Sequence, residues 1–120
     1  MIELSDPDDP RLAAFHTLRE RRASRGSGAG RPSQFIAESE LAVGRLLASD
    51  WRVDSLLVTR PRAARLVASP GFLRREHPPQ VFVGERAFLS QVVGFDFHRG
   101  CAAAGPRPPA VAPPAWERAV

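Results

Sequence analysis

The sequence predicts a single α/β domain, a three-layer α/β/α sandwich whose mainly parallel sheet has about four strands. Short apolar runs at Phe35–Ala37, Ser55–Thr59, Gln80–Gly84 and Cys101–Ala104 alternate with amphipathic stretches at 39–47, 60–68 and 85–93. That alternation is the signature of strands joined by crossover helices. Gln80-Val81-Phe82-Val83-Gly84 is apolar on both faces, which marks a central strand covered by helices on either side. Finally, 120 residues with 43% hydrophobic and 25% charged side chains suffice for one modest core.

Asp9 as cap and Pro10 at the first helical position open a helix expected to reach about Ala23, with Leu12, Phe15 and Leu18 facing the core. Arg11, Arg19, Arg21 and Arg22 fall on its other side, either as a solvated face or as a track for a phosphate backbone. Residues 24–34 lack hydrophobic periodicity and read as a loop. Their glycines precede the first strand and no Lys-Ser/Thr follows, so they do not form a phosphate-cradling turn.

Phe35–Ala37 is a short buried strand turning directly into a helix. Ser39 caps that helix, Glu38 and Glu40 put negative charge at its positive start, and Val43, Leu46 and Leu47 form its apolar stripe. With the strand Ser55–Thr59 this completes a right-handed parallel unit. Arg60–Ala68 is a short helix with Pro61 in its first turn, stopped by Pro70-Gly71. Its Arg60, Arg62 and Arg65 lie near the carboxyl end of the second strand, the edge where open α/β sheets place ligands. They are the main candidates for phosphate contact; simple solvation of a short helix is the alternative.

Phe72–Pro79 reads as a connection with Arg74, Arg75 and His77 exposed. Glu85–Val93 is the next helix, ended by Gly94 as C-cap, and Cys101–Ala104 is the last strand, with Cys101 a small buried hydrophobe. His98 and Arg99 either contact phosphate or ribose, or hold the Gly94–Gly100 turn through backbone carbonyls. If every strand is parallel, that turn arrives at the edge opposite Arg60, Arg62 and Arg65 unless it folds back. Residues 1–104 are thus read as one domain and 105–120, opening with the Pro-rich stretch Gly105–Pro114, as a linker and the start of something further.

Net charge is +4 and the isoelectric point about 11.1, and all 17 basic residues are arginine. Arginine's planar fork suits phosphate and base edges, although a GC-rich genome produces the same bias. A single cysteine excludes an intrachain disulfide and gives no metal-ligand spacing, so no metal and a reducing cytoplasm are expected. No run approaches a membrane span, and the acidic start differs from a signal peptide. No Ser/His/Asp or paired-carboxylate site can be assembled.

Three segments carry a family resemblance. They are Asp8-Asp9-Pro10-Arg11-Leu12, then Phe35-Ile36-Ala37-Glu38-Ser39-Glu40 with its helix and the strand at 55–59, and finally Gly94-Phe95-Asp96-Phe97-His98-Arg99-Gly100 with the small-residue strand after it. Together they resemble the amino-terminal substrate-binding domain of TrmH-type (SpoU) RNA 2′-O-ribose methyltransferases over roughly residues 6 to 108. The family usually has Gly where this chain has Ser39. The resemblance implies a fold similar to RNA-binding ribosomal proteins and recognition of ribosomal or transfer RNA. Glu38, Gly94, Phe95 and Gly100 would be motif residues, and Arg60, Arg62, Arg65, His98 and Arg99 the RNA-contacting ones. It also implies that the knotted SPOUT domain, which binds S-adenosylmethionine and carries the dimer interface, is missing. By itself the chain is expected to be a monomer that neither binds that cofactor nor transfers methyl groups. A free-standing RNA-binding module and a protein-interaction domain that has lost RNA binding are the other readings.

Overall fold

The computed structural model describes residues 1–16, 18 and 34–107. The expected helix tail with Arg19, Arg21 and Arg22, the Gly-rich loop as far as Ser33 and the linker from Pro108 onward lie outside the described residues. In chain order the elements are strand β1 (Ile2–Glu3), a 3-10 turn (Pro10–Leu12) leading into helix α1 (Ala13–His16), β2 (Gln34–Glu38), α2 (Glu40–Ala48), β3 (Ser55–Thr59), α3 (Arg60–Val67), α4 (Pro70–Leu73), β4 (Gln80–Gly84), α5 (Arg86–Val93) and β5 (Cys101–Pro106). Among the described residues they form one five-stranded sheet in the order β1-β4-β3-β5-β2.

Helices cover both faces, as the alternation of the strands dictates. Leu57, Phe82, Ala102 and Ala104 point to a core shared with Leu12, Phe15 and Leu18 and with Leu89, Val92, Val93 and Phe97 of α5 and the turn after it. Leu56, Val58, Val81, Val83, Cys101 and Ala103 point the other way, onto Val43 and Leu47 of α2 and Ala63 and Leu66 of α3. The α/β/α sandwich is therefore as expected, with β3 and β4 buried along nearly their whole length.

Four features differ from expectation. β1 adds a fifth strand, parallel to β4 through Ile2↔Phe82 and Glu3↔Val83. β2 is an edge strand and is half-buried throughout rather than buried. β2 and β3 do not pair with each other, because β5 lies between them, antiparallel to both. Its four small residues let it slip tightly between two strands and under two helix layers, and it runs two residues past Ala104 because Gln34 and Phe35 offer register partners. Lastly, Phe72 and Leu73 belong to α4 rather than to a connection. Ser69 caps that turn by accepting from Phe72 N at 3.3 Å, and Gly71 lies so close to Leu47 and Ala48 that a Cβ would sit 3.1 Å from their backbone.

Ser39 sits at φ 93°, ψ 148°, a region that glycine adopts freely and other residues occupy at a cost of about 1–3 kcal/mol. Its surroundings hold it there. Ser39 N–H donates to Cys101 O at 3.0 Å, its carbonyl accepts from Val43 N at 3.0 Å, and its Oγ caps α2 by accepting from Ala42 N at 3.2 Å. The strand-to-helix turn is thus the one a glycine would make, built with serine. Ser39→Gly should raise stability by about 0.5–1 kcal/mol, because relief of strain outweighs a cap loss of a few tenths and the greater freedom of glycine in the unfolded chain, about 0.4–1 kcal/mol. Ser39→Ala keeps the strain, loses the cap, and should cost about 1 kcal/mol. Thermal melts of both variants check this, and a glycine variant no more stable than the parent contradicts it.

Candidate nucleic-acid interface at the carboxyl edge of the sheet

The antiparallel course of β5 decides where the two motif segments lie. Cys101, at the start of β5, is in register with Val58, near the end of β3. Thr59 N–H donates to Gly100 O at 3.0 Å. The Gly94–Gly100 turn therefore arrives at the same edge as Arg60, Arg62 and Arg65, which corrects the placement at opposite edges that an all-parallel sheet would give. The end of β2 arrives there too, since Glu38 is in register with Ala102.

Local chemistry shapes the turn. Gly94 ends α5 in the left-handed conformation (φ 82°), and its N–H donates to Ser90 O at 2.9 Å. Phe95 packs partly buried against the core and Phe97 is fully buried within it. Phe97 N–H donates to Ser90 Oγ at 2.9 Å, and Arg86 of α5 holds Asp96 through a two-point fork at 2.9 and 2.5 Å. Gly100 needs its φ of 64°, and a Cβ there would meet Arg62 Nη1 at 2.8 Å and Thr59 Cγ2 at 3.0 Å. His98 and Arg99 are left exposed. His98 Nδ1 lies 3.4 Å from Asp96 O, whereas Arg99 makes no hydrogen bond or ion pair of its own among the described residues. Arg86 and Ser90, not Arg99, hold the turn.

The arginines that follow β3 lie at the carboxyl edge but are not bare. Arg60 donates to Glu85 Oε1 at 2.8 Å and pairs with Glu3. Arg65 embraces Glu40 through Nε and Nη2 at 3.1 and 2.7 Å. Arg62 lies 3.6 Å from the same Glu40 carboxylate and donates to Thr59 Oγ1 at 3.2 Å. The edge therefore carries Arg60, Arg62 and Arg65 already shared with the carboxylates of Glu3, Glu40 and Glu85, a balance the sequence did not disclose.

Electrostatics follow from these pairs. The Arg65 guanidinium, with Arg62 beside it, holds the Glu40 carboxyl below its ordinary range, and Arg86 does the same for Asp96. Burial pushes the Cys101 thiol up to about 12, so it stays a protonated core side chain with no nucleophilic role.

The opposite edge holds what sequence reasoning missed. Arg75, expected to be exposed, is partly buried. It donates to Leu46 O (3.0 Å), Leu47 O (3.2 Å), Ser49 O (3.0 Å) and Trp51 O (2.9 Å), and burial lowers its affinity for the proton. Arg74 adds bonds to Ala48 O and Ser49 O at 2.6 and 2.7 Å. These two arginines line an open groove of about 720 Å³ with Trp51, Arg52, Asp54 and His77. Trp51 is 51% exposed and meets Phe35 edge-on at 5.6 Å. A second, shallower groove follows the outer face of α2.

Among the described residues no buried side-chain polar atom lacks a hydrogen-bond partner. Among the described residues no cluster of three or more His, Cys, Asp or Glu could hold a metal ion, and no helix is long and apolar enough to cross a membrane.

No family model matches the chain, and no curated protein matches it. Solved structures do. One is an rRNA methyltransferase from Sinorhizobium meliloti, similar at a TM-score of 0.58 with 16% identity over 91% of this chain. Another is the AdoMet-bound rRNA methyltransferase from the same organism, at a TM-score of 0.53 and 14% identity over the same share. The chain spans 38% of the length of either structure. At these identities the likeness shows a shared α/β fold, one that forms part of RNA methyltransferases.

Proposed function

We propose that this chain is the RNA-recognition domain of a TrmH/SpoU-type RNA 2′-O-ribose methyltransferase, with methyl transfer performed by a separate S-adenosylmethionine-binding catalytic unit. The observation that carries the reading is the meeting of the two motif segments at one edge. Ser39 N–H binds Cys101 O and Thr59 N–H binds Gly100 O, both at 3.0 Å. Segments far apart in sequence thereby form one surface with Arg60, Arg62, Arg65, His98 and Arg99. The positive φ of Ser39 matches the family's usual glycine, and the fold likeness to rRNA methyltransferases supports the same assignment. Ribosomal or transfer RNA is the partner, and the arginines take its phosphates.

The test is an electrophoretic mobility titration with structured ribosomal and transfer RNA fragments at low and moderate salt, about 50 and 200 mM. Binding that weakens steeply with salt is expected, because each phosphate contact releases condensed counterions. Absence of binding at the lower salt contradicts the reading and favours a protein-interaction domain.

A further inference from the structure

We propose that Glu40 is a built-in competitor for the anion-binding fork of Arg62 and Arg65, so that the edge accepts RNA phosphodiesters arrayed along a chain and rejects isolated anions; this rests on the RNA reading above. Both Glu40 oxygens contact Arg65, and one of them also faces Arg62 at 3.6 Å. That two-point geometry is the one a phosphate adopts on an arginine fork. The carboxylate is delivered by fixed backbone. Glu40 is the first residue of α2 and follows Ser39, which is anchored to Cys101 and caps the helix.

The pair is open to exchange, since the side chains of Arg65 and Glu40 are 58% and 38% exposed, and exposed pairs are weak. A single phosphodiester brings the same unit charge as the carboxylate it displaces, so exchange at this fork alone gains little. A chain of phosphates gains more, because its next phosphate reaches Arg99, which has no carboxylate partner among the described residues. Glu40 therefore sets a threshold that favours longer RNA.

Binding of a short oligouridylate of about five nucleotides and of a ribosomal RNA hairpin of about 30 nucleotides is measured across salt for the parent chain, Glu40→Gln and Glu76→Gln. Glu76 lines the groove on the opposite edge, and its substitution makes the same change in net charge. Glu40→Gln should tighten the oligouridylate by about three- to tenfold, tighten the hairpin less, and steepen the salt slope by about 0.7–0.9; Glu76→Gln should do neither. Adding Arg65→Gln to Glu40→Gln should erase the gain. Thermal melts confirm folding. Should the Gln variant melt early, Glu40→Asp, which keeps the helix-start charge but shortens the reach, is judged by the same gain over Glu76→Gln. A parent that binds the hairpin while Glu40→Gln gains no more than Glu76→Gln overturns the competitor role and leaves the RNA reading standing. No binding by any of the proteins overturns both.

Discussion

Replacing Arg75 with alanine should destabilise the domain by about 2–3 kcal/mol, lowering its melting temperature by roughly 10–20 °C. Helix α2 ends without the left-handed glycine that commonly satisfies terminal carbonyls, since Ser49 is extended at φ −87°, ψ 179°. Arg75 does that work instead, with bonds to three carbonyls of the helix end and to Trp51 O. Truncation strips a partly buried cation from those acceptors and lets the segment before β3 loosen. Arg75→Lys should recover less than half of the loss, because a point-charge ammonium cannot span carbonyls that a planar fork reaches together. Arg45→Ala, exposed on the same helix, should stay within about 0.5 kcal/mol of the parent. Denaturant unfolding of the three variants decides it, and equal midpoints for Arg75→Ala and Arg45→Ala contradict the capping role.

The second large effect is on RNA. Converting Arg60, Arg62 and Arg65 together to Gln should weaken binding on the order of tenfold or more and flatten the salt slope by about 0.7–0.9 for each phosphate no longer neutralised, up to one per arginine. Stability should change little, as the pairs removed are surface pairs. The carboxylates Glu3, Glu40 and Glu85 already share these arginines, so the flattening should fall short of that ceiling. Arg99→Gln, which removes a cation with no such partner among the described residues, should flatten the slope by the full amount for a single phosphate. If the triple variant keeps parental affinity and slope while Arg99→Gln abolishes binding, the phosphate surface belongs to the Gly94–Gly100 turn alone.

These expectations depend on features of unequal visibility in the sequence. The run at 80–84 is apolar on both faces, as a strand between two helix layers is, and it alternates with amphipathic helical stretches, so the sandwich could be read directly. β1 could not, because two residues carry no periodicity and Ile2 and Glu3 gain meaning only beside Phe82 and Val83. The direction of β5 was equally hidden: a run of small residues packs alike either way, yet its antiparallel course brings Arg99 to the edge that holds Arg62. Glu38 was legible as charge at a helix start and Gly94 as a C-cap, and Phe95 and Gly100 stood out only through the resemblance, whereas the pairing of Arg65 with Glu40 joins residues 25 positions apart and leaves no trace in spacing. Arg75 is hidden for the same reason, its acceptors lying 24 to 29 positions earlier. Ser39 gave one clue, standing where the resembling family usually has glycine, and its φ of 93° lies in the region that glycine favours.

Whether RNA is met at the carboxyl edge is tested most directly by amide chemical-shift mapping during RNA titration. With a uniformly ¹⁵N-labelled chain and a ribosomal RNA hairpin, the largest perturbations should fall on Glu38–Glu40, Thr59–Arg65 and His98–Cys101, and should fade together as salt rises. Perturbations centred instead on Ser49–Asp54 and Arg74–His77, around the Trp51 groove, would contradict it.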